Sequence, residues 1–135
     1  MADWNDKIID EFRSNEGKVG GNFEGAPLLL LHSTGAKTGA KRISPMMYQQ
    51  LPDAMAVFAS KAGADSNPAW YHNLLANPRA TVEVGTETFD VEARVAGDAE
   101  REPIWAEQKL RYPGFAGYEK KTSRQIPVMI LTRIA

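Results

Sequence analysis

The stretch Leu28, Leu29, Leu30, Leu31, His32, Ser33, Thr34 constrains the fold more than any other. An apolar run this continuous, turning polar only at its end, is the pattern of a strand buried on both faces. It is far shorter than the ~20 apolar residues that span a bilayer, so it reads as a central strand and not as a membrane segment. The residues after it repeat the theme of short strands broken by turns. GAKTGAKR follows, then Ile43 to Leu51 with Pro45 marking an edge or bulge, then Met55 to Ser60 behind the turn Pro52, Asp53. Three consecutive strands joined by tight turns form an antiparallel meander. Ala80 to Val84 and Thr88 to Val95 alternate around Gly85, Thr86 as a hairpin, and Pro127 to Leu131 is a last buried strand.

Helices occupy the gaps. Trp4, Ile8 and Phe12 recur every four residues behind Asp3 as a candidate N-cap, which predicts an amphipathic helix over about 3–15. Its polar face mixes Asp, Lys, Glu and Arg, so packing on the body of the protein is favoured over lying on a membrane. Asn67 with Pro68 reads as the cap and first position of a short helix through Trp70 and Leu74. A further helix carrying Ile104, Trp105 and Leu110 is expected to begin near Glu102, because proline belongs in a first turn. Six strands, peripheral helices and no β-α-β alternation predict an α+β fold, a six-stranded antiparallel barrel, as a single domain over 1–135.

Composition removes whole classes of chemistry. The chain has no cysteine and two histidines, His32 and His72, which excludes thiolate metal sites, disulfides and a Cys nucleophile and leaves no His-rich metal site. Sixteen Lys and Arg against 17 Asp and Glu give a net charge of -1, which argues against nucleic acid as a partner. At 43% hydrophobic and 24% charged residues the chain is neither disordered nor fibrous. A soluble cytoplasmic protein, at most peripherally associated with a membrane and a monomer or weak dimer, is the expectation.

Four stretches could carry function. Between Glu24 and Asp53 no acid occurs, while Lys37, Lys41 and Arg42 sit in or beside one turn, which is either a local anion site or a solvated hairpin tip. The glycines and lysines there match neither a dinucleotide fingerprint nor a Walker loop. Ser60, Lys61, Ala62, Gly63 follow directly on a strand, where sheets commonly present ligand contacts. NPAWYHN offers the N-terminus of a helix and two flat rings, or two aromatics that fill the core. His72 in it reads as a surface or structural histidine before a base, and His32 as a core or ligand-facing one. Tyr112, Phe115 and Tyr118, spaced by three, place three rings on one face, to wall a pocket or pack on the sheet.

In order and spacing, KVGGNFEGAPLLLLHSTGAKTGAKRISPMMY, FASKAGADSNPAWYHNLLANPRATVEVG and WAEQKLRYPGFAGYEKKTSRQIPVMIL resemble the deazaflavin (F420)-dependent nitroreductase family, over nearly the whole chain. These are small split-barrel proteins related in fold to FMN-binding flavoreductases. The resemblance implies an F420H2-dependent reductase that passes a hydride from reduced coenzyme F420 to an electron-poor small molecule such as an enone, lactone-conjugated alkene, quinone or nitroaromatic. It implies that Ala36, Lys37, Thr38 and Arg42 hold the anionic phospholactyl-oligoglutamate tail. Ile43, Ser44, Pro45, Met46 and Met47, with Phe58, Ala59, Ser60 and Lys61 and with Ala69, Trp70, Tyr71, His72 and Asn73, match the positions that contact the ring. Ser60, Tyr112 and Tyr118 match positions on the substrate side, where a hydroxyl polarises the acceptor or relays a proton. His32, Ser33 stand where threonines are usual and Phe115 where a tyrosine is common; the hydroxyl lost at Phe115 puts nitroimidazole reduction in doubt while cofactor binding stays compatible with the resemblance. Two other readings share the same groove: a non-catalytic F420 carrier or storage protein, and an FMN-dependent split-barrel reductase.

Overall fold

The computed structural model describes residues 4–20, 27–36, 39–60 and 67–134. In chain order the elements are α1 (Trp4–Ser14), β1 (Leu28–Thr34), β2 (Lys41–Gln50), β3 (Met55–Phe58), α2 (Ala69–Ala76), β4 (Arg79–Val84), β5 (Glu87–Val95), α3 (Asp98–Arg111), α4 (Gly114–Lys121) and β6 (Val128–Arg133). The six strands close into a barrel in the order β1-β2-β3-β6-β5-β4, every pairing antiparallel. The meander and the hairpin stand as the sequence predicts.

Strand alternation divides the apolar residues between two surfaces. Leu29, Leu31, Met55, Val57, Val82, Val91, Met129 and Leu131 fill the barrel. Leu28 and Leu30 point outward and are covered by Ile8, Ile9 and Phe12 of α1. Both faces of β1 are therefore buried, which is why its sequence is an unbroken apolar run. Phe12 is 1% exposed, and burying a ring that completely stabilises by ~2 kcal/mol or more. α3 and α4 cover the outer face of β3 and β6, where Ala56, Phe58, Val128 and Ile130 meet Ile104, Trp105 and Phe115. A polar pin crosses this layer: buried Gln49 on β2 donates to the Ile104 carbonyl at 3.1 Å and to Gln108 Oε1 at 3.3 Å.

Two helix starts differ from expectation. α3 begins at Asp98 rather than near Glu102, so Pro103 lies inside it. Asp98 and Glu100 suit the positive N-terminal end. Buried Arg101 anchors the first turns through its Nε–H to the Ile126 carbonyl at 3.0 Å. These contacts, with Ile104 and Trp105 in the core, outweigh the backbone hydrogen bond that Pro103 cannot donate. Of the three apolar residues named on this helix, Ile104 and Trp105 are buried and Leu110 is 77% exposed. For α2 the N-cap is Pro68, with no side-chain cap, because the Asn67 side chain is engaged elsewhere. Asp3 lies outside the described residues.

The barrel is split. β2 pairs with β1 along Lys41 to Met47, but with β3 only through Tyr48, Gln49 and Gln50. Beyond that point Ala59 donates to the Pro127 carbonyl at 3.0 Å, so the end of β3 follows β6 and parts from β2. Pro45 sits in the stretch of β2 that has no β3 partner, which is where a residue lacking an N–H is tolerated.

Candidate functional site

The described parts of the four sequence stretches lie toward one end of the barrel, where β2 and β3 part. The C-terminal end of β1, the N-terminal end of β2, the C-terminal end of β3 and the helix that leads into β4 lie there together, because antiparallel order alternates the strand ends. Three links join them. Buried Asn73 of α2 accepts the Ala36 N–H on Oδ1 at 3.0 Å, fastening the helix to the β1–β2 hairpin. Arg124, in the segment between α4 and β6, donates to the carbonyls of Ala59 (3.1 Å) and Ser60 (2.9 Å) and to Asn67 Oδ1 (2.7 Å). The Phe58 ring lies edge-on to Phe115 at 5.7 Å, bringing β3 against α4.

Within β2 the candidate residues separate by alternation. The register pairs Ser33 with Arg42, Leu31 with Ser44 and Leu29 with Met46, so Arg42, Ser44 and Met46 share the inner face. Ile43 and Met47 face outward against α1, with Pro45 between them. Their side chains cannot all meet one ligand, but their backbones can. Tyr48 donates to the Pro27 carbonyl on the β1 side, so even-numbered residues turn their peptide groups toward β1. Ile43, Pro45 and Met47 turn theirs into the split, where β3 has departed. Among the described residues that row of peptide groups has no strand partner, and such an edge suits the hydrogen-bonding rim of a flat heterocycle.

On α2, Trp70 and Tyr71 are half-buried against the barrel core, Asn73 is buried, and Ala69 and His72 are exposed. Phe58 and Ala59 are buried, and so is Ser60, at 8% exposure. Tyr112 caps the end of α3 and Tyr118 lies on α4, both half-buried against the core that these helices form with the sheet. Phe115, between them, packs with Trp105 at 6.1 Å and Tyr118 at 5.4 Å, so its ring belongs to the α3–α4 core while the two tyrosines flank it. The Trp105 indole N–H and Lys109 both donate to Glu119, which holds that carboxyl below its usual range, with the indole bond the larger cause. Arg42 and Lys41 are exposed at the start of β2, and Ala36 is exposed in the turn. Lys37, Thr38 and Lys61 lie outside the described residues.

His32 faces outward and is half-buried, with Nε2 donating to Glu83 at 2.6 Å. Arg13 of α1 forks onto the same carboxylate at 2.7 and 3.1 Å. Glu83 is thereby held below the ordinary carboxylate range, chiefly by the Arg13 hydrogen bond and further by His32. An open groove of about 690 Å³ runs past His32, Thr34, Lys41, Arg79 and Asp90 on this outer surface. The histidine belongs to the anchoring of α1 and not to the split.

Sequence reasoning did not find Arg124 as the clamp of the site, nor Ser33, whose hydroxyl is buried without a hydrogen-bond partner on the inner row beside Arg42. The guanidinium bonds of Arg124 to Ala59, Ser60 and Asn67 span 57 to 65 residues, so no local pattern signals them. An isolated serine at the polar end of an apolar strand carries none either.

Comparison with known proteins gives a consistent picture. Residues 4–133 match the model of the F420H(2)-dependent quinone reductase family. An F420H(2)-dependent quinone reductase of Mycobacterium tuberculosis is 39% identical over 126 residues, covering 90% of this chain and 85% of its own. Among solved structures, an F420-H2 dependent reductase (FDR-A) superposes with a TM-score of 0.71 at 40% identity, covering 78% of this chain and 93% of that one. A second, described as a domain-swapped dimer, gives 0.72 at 37% identity over 93% and 92% of the two chains. No helix among the described residues is long and apolar enough to cross a membrane.

Proposed function

The chain belongs to the F420H(2)-dependent quinone reductase family, and on that premise we propose that it reduces quinone-type acceptors with hydride from reduced coenzyme F420, bound in the split of the barrel. The observation that carries the reading is the convergence at one barrel end of an acid-free basic turn, an unpaired strand edge and an aromatic wall.

The residues suit the group. F420 joins a deazaisoalloxazine ring to a phosphate and a polyanionic glutamate tail, so it needs peptide donors and acceptors along a flat edge, apolar walls and a local cluster of cations. The split edge at Ile43, Pro45 and Met47 supports the first. Trp70, Tyr71 and the Phe58–Phe115 layer support the second. Arg42 and Lys37, with Thr38 and the peptide of Ala36, support the third. When bound, F420H2 supplies a hydride in a two-electron step from the carbon that replaces nitrogen 5.

This chain's part is orientation and exclusion of water. Arg124 fixes the backbone of Ala59 and Ser60 and the entry to α2, while Asn73 fixes the hairpin, so the walls of the split are set before any ligand arrives. Tyr112 and Tyr118, at the mouth on the α3–α4 side, and Ser60, at the end of β3, carry the hydroxyls that polarise the acceptor or deliver its proton. Phe115 offers no hydroxyl between them, which favours planar apolar acceptors. Titration with F420 and separately with FMN tests the cofactor assignment. Tight F420 binding with weak FMN binding supports it, and a protein that copurifies with yellow FMN and ignores F420 contradicts it.

A further inference from the structure

Two side-chain atoms among the described residues are buried with no hydrogen-bond partner, Gln108 Nε2 and Ser33 Oγ. Gln108 already accepts from Gln49 through its other amide atom and lies on the buried face of α3, on the outer surface of the barrel. Ser33 is different. It is 2% exposed, is the last inward-facing residue of β1 before the hairpin, and stands directly across the ladder from Arg42. Three residues on, Ala36 is fastened to α2 by Asn73. A buried hydroxyl left unpaired is unfavourable, and a hydroxyl pays least to stay so where a ligand completes it.

The neighbours indicate which kind of ligand atom that is. Arg42 is a cation on the same face at the cross-strand position, in the acid-free stretch that begins the proposed cofactor site. An oxygen lying between a guanidinium and a hydroxyl donor is best an anionic one. Resting on the F420 reading above, we infer that Ser33 is a further cofactor-binding residue, its hydroxyl donating to a phosphate oxygen of the phospholactyl group beside Arg42. Ser33 thus fixes the phosphate end of the chain that carries the ring, which limits where the ring can lie in the split.

The test compares wild type, Ser33→Ala and Ser33→Thr by fluorescence titration with F420 and with the deazaflavin riboside that lacks the phosphate. Thermal unfolding of the ligand-free proteins is measured in parallel. Ser33→Ala is expected to weaken F420 about tenfold, as the loss of one hydrogen bond to a charged group does, and Ser33→Thr to stay within about twofold of wild type. The riboside should bind all three alike, and the ligand-free Ser33→Ala protein should melt no lower than wild type, since its hydroxyl has no partner to lose. Undiminished F420 affinity in Ser33→Ala overturns the assignment. So does an equal loss for the riboside, or a lowered melting temperature that Ser33→Thr restores, which marks a structural hydroxyl. If wild type itself fails to bind F420, the functional reading falls as well, whereas wild-type binding with an unimpaired Ser33→Ala removes only this residue.

Discussion

Asn73 Oδ1 accepts the Ala36 N–H at 3.0 Å, and this bond joins α2 to the β1–β2 hairpin that carries the basic turn. Asn73 is buried while Ala36 is exposed, so losing the bond lets water reach the freed N–H. Asn73→Ala should therefore cost about 1 kcal/mol in denaturant unfolding. The effect on F420 affinity should be larger in proportion, because the hairpin is no longer held against the helix. A variant that unfolds at lower denaturant but binds F420 as wild type would assign Asn73 to the fold alone.

If Lys37 and Arg42 hold the cofactor tail as proposed, they act through charge. Lys37→Ala combined with Arg42→Ala should weaken F420 binding, each lost charge contact contributing about 1 kcal/mol at low salt. The gap between wild type and the double variant should narrow as salt rises. A salt-independent loss would mean that the two residues shape the turn without contacting the tail.

Arg124 holds three oxygens on two separate segments. Arg124→Ala should lower stability by roughly 2–3 kcal/mol, since hydrogen bonds from a charged donor exceed neutral ones. Arg124→Lys should recover little of it, because an ammonium cannot reproduce the planar fork. Chemical unfolding of the two variants checks this, and full recovery with lysine would show that charge alone matters.

Most of the fold was legible because burial on one or both faces leaves a pattern in the strand. β1 was readable to the residue, its outer face hidden by α1 and its inner face by the barrel core. β2 was read two residues short at its start, since Lys41 and Arg42 look like turn residues although they pair with Thr34 and Ser33. The local rule about proline puts the start of α3 too late because it stands against a long-range anchor, Arg101 to the Ile126 carbonyl, that no window of sequence displays. The candidate site followed the same division. Its basic turn, its helix and its aromatic triplet stand out as local motifs, whereas the clamp at Arg124 and the orphaned hydroxyl of Ser33 exist only once distant segments meet.

The carboxylate of Glu83 ties α1 to the barrel through Arg13, with His32 on the same oxygen. Its affinity for protons is lowered in the folded chain, first by the Arg13 hydrogen bond. Ionised Glu83 thus favours the fold above the ordinary carboxylate range, and that contribution is lost as pH falls through its lowered value. Half-exposure of Arg13 screens the pair, so about 1 kcal/mol is at stake. Between about pH 6 and pH 3, wild type should lose more stability than Glu83→Gln, which lacks this titration. Parallel acid limbs in thermal unfolding would contradict the link.

Hydride transfer in the split of the barrel is read by single-turnover oxidation of F420H2. Mixed anaerobically with a soluble benzoquinone, the protein with stoichiometric F420H2 should return the oxidised cofactor's absorbance in one phase, with a rate that rises with quinone concentration. Arg42→Ala should need more cofactor to reach that rate. A protein that binds F420H2 tightly yet leaves it reduced in the presence of quinones, enones and nitroaromatics alike would be a carrier and not a reductase.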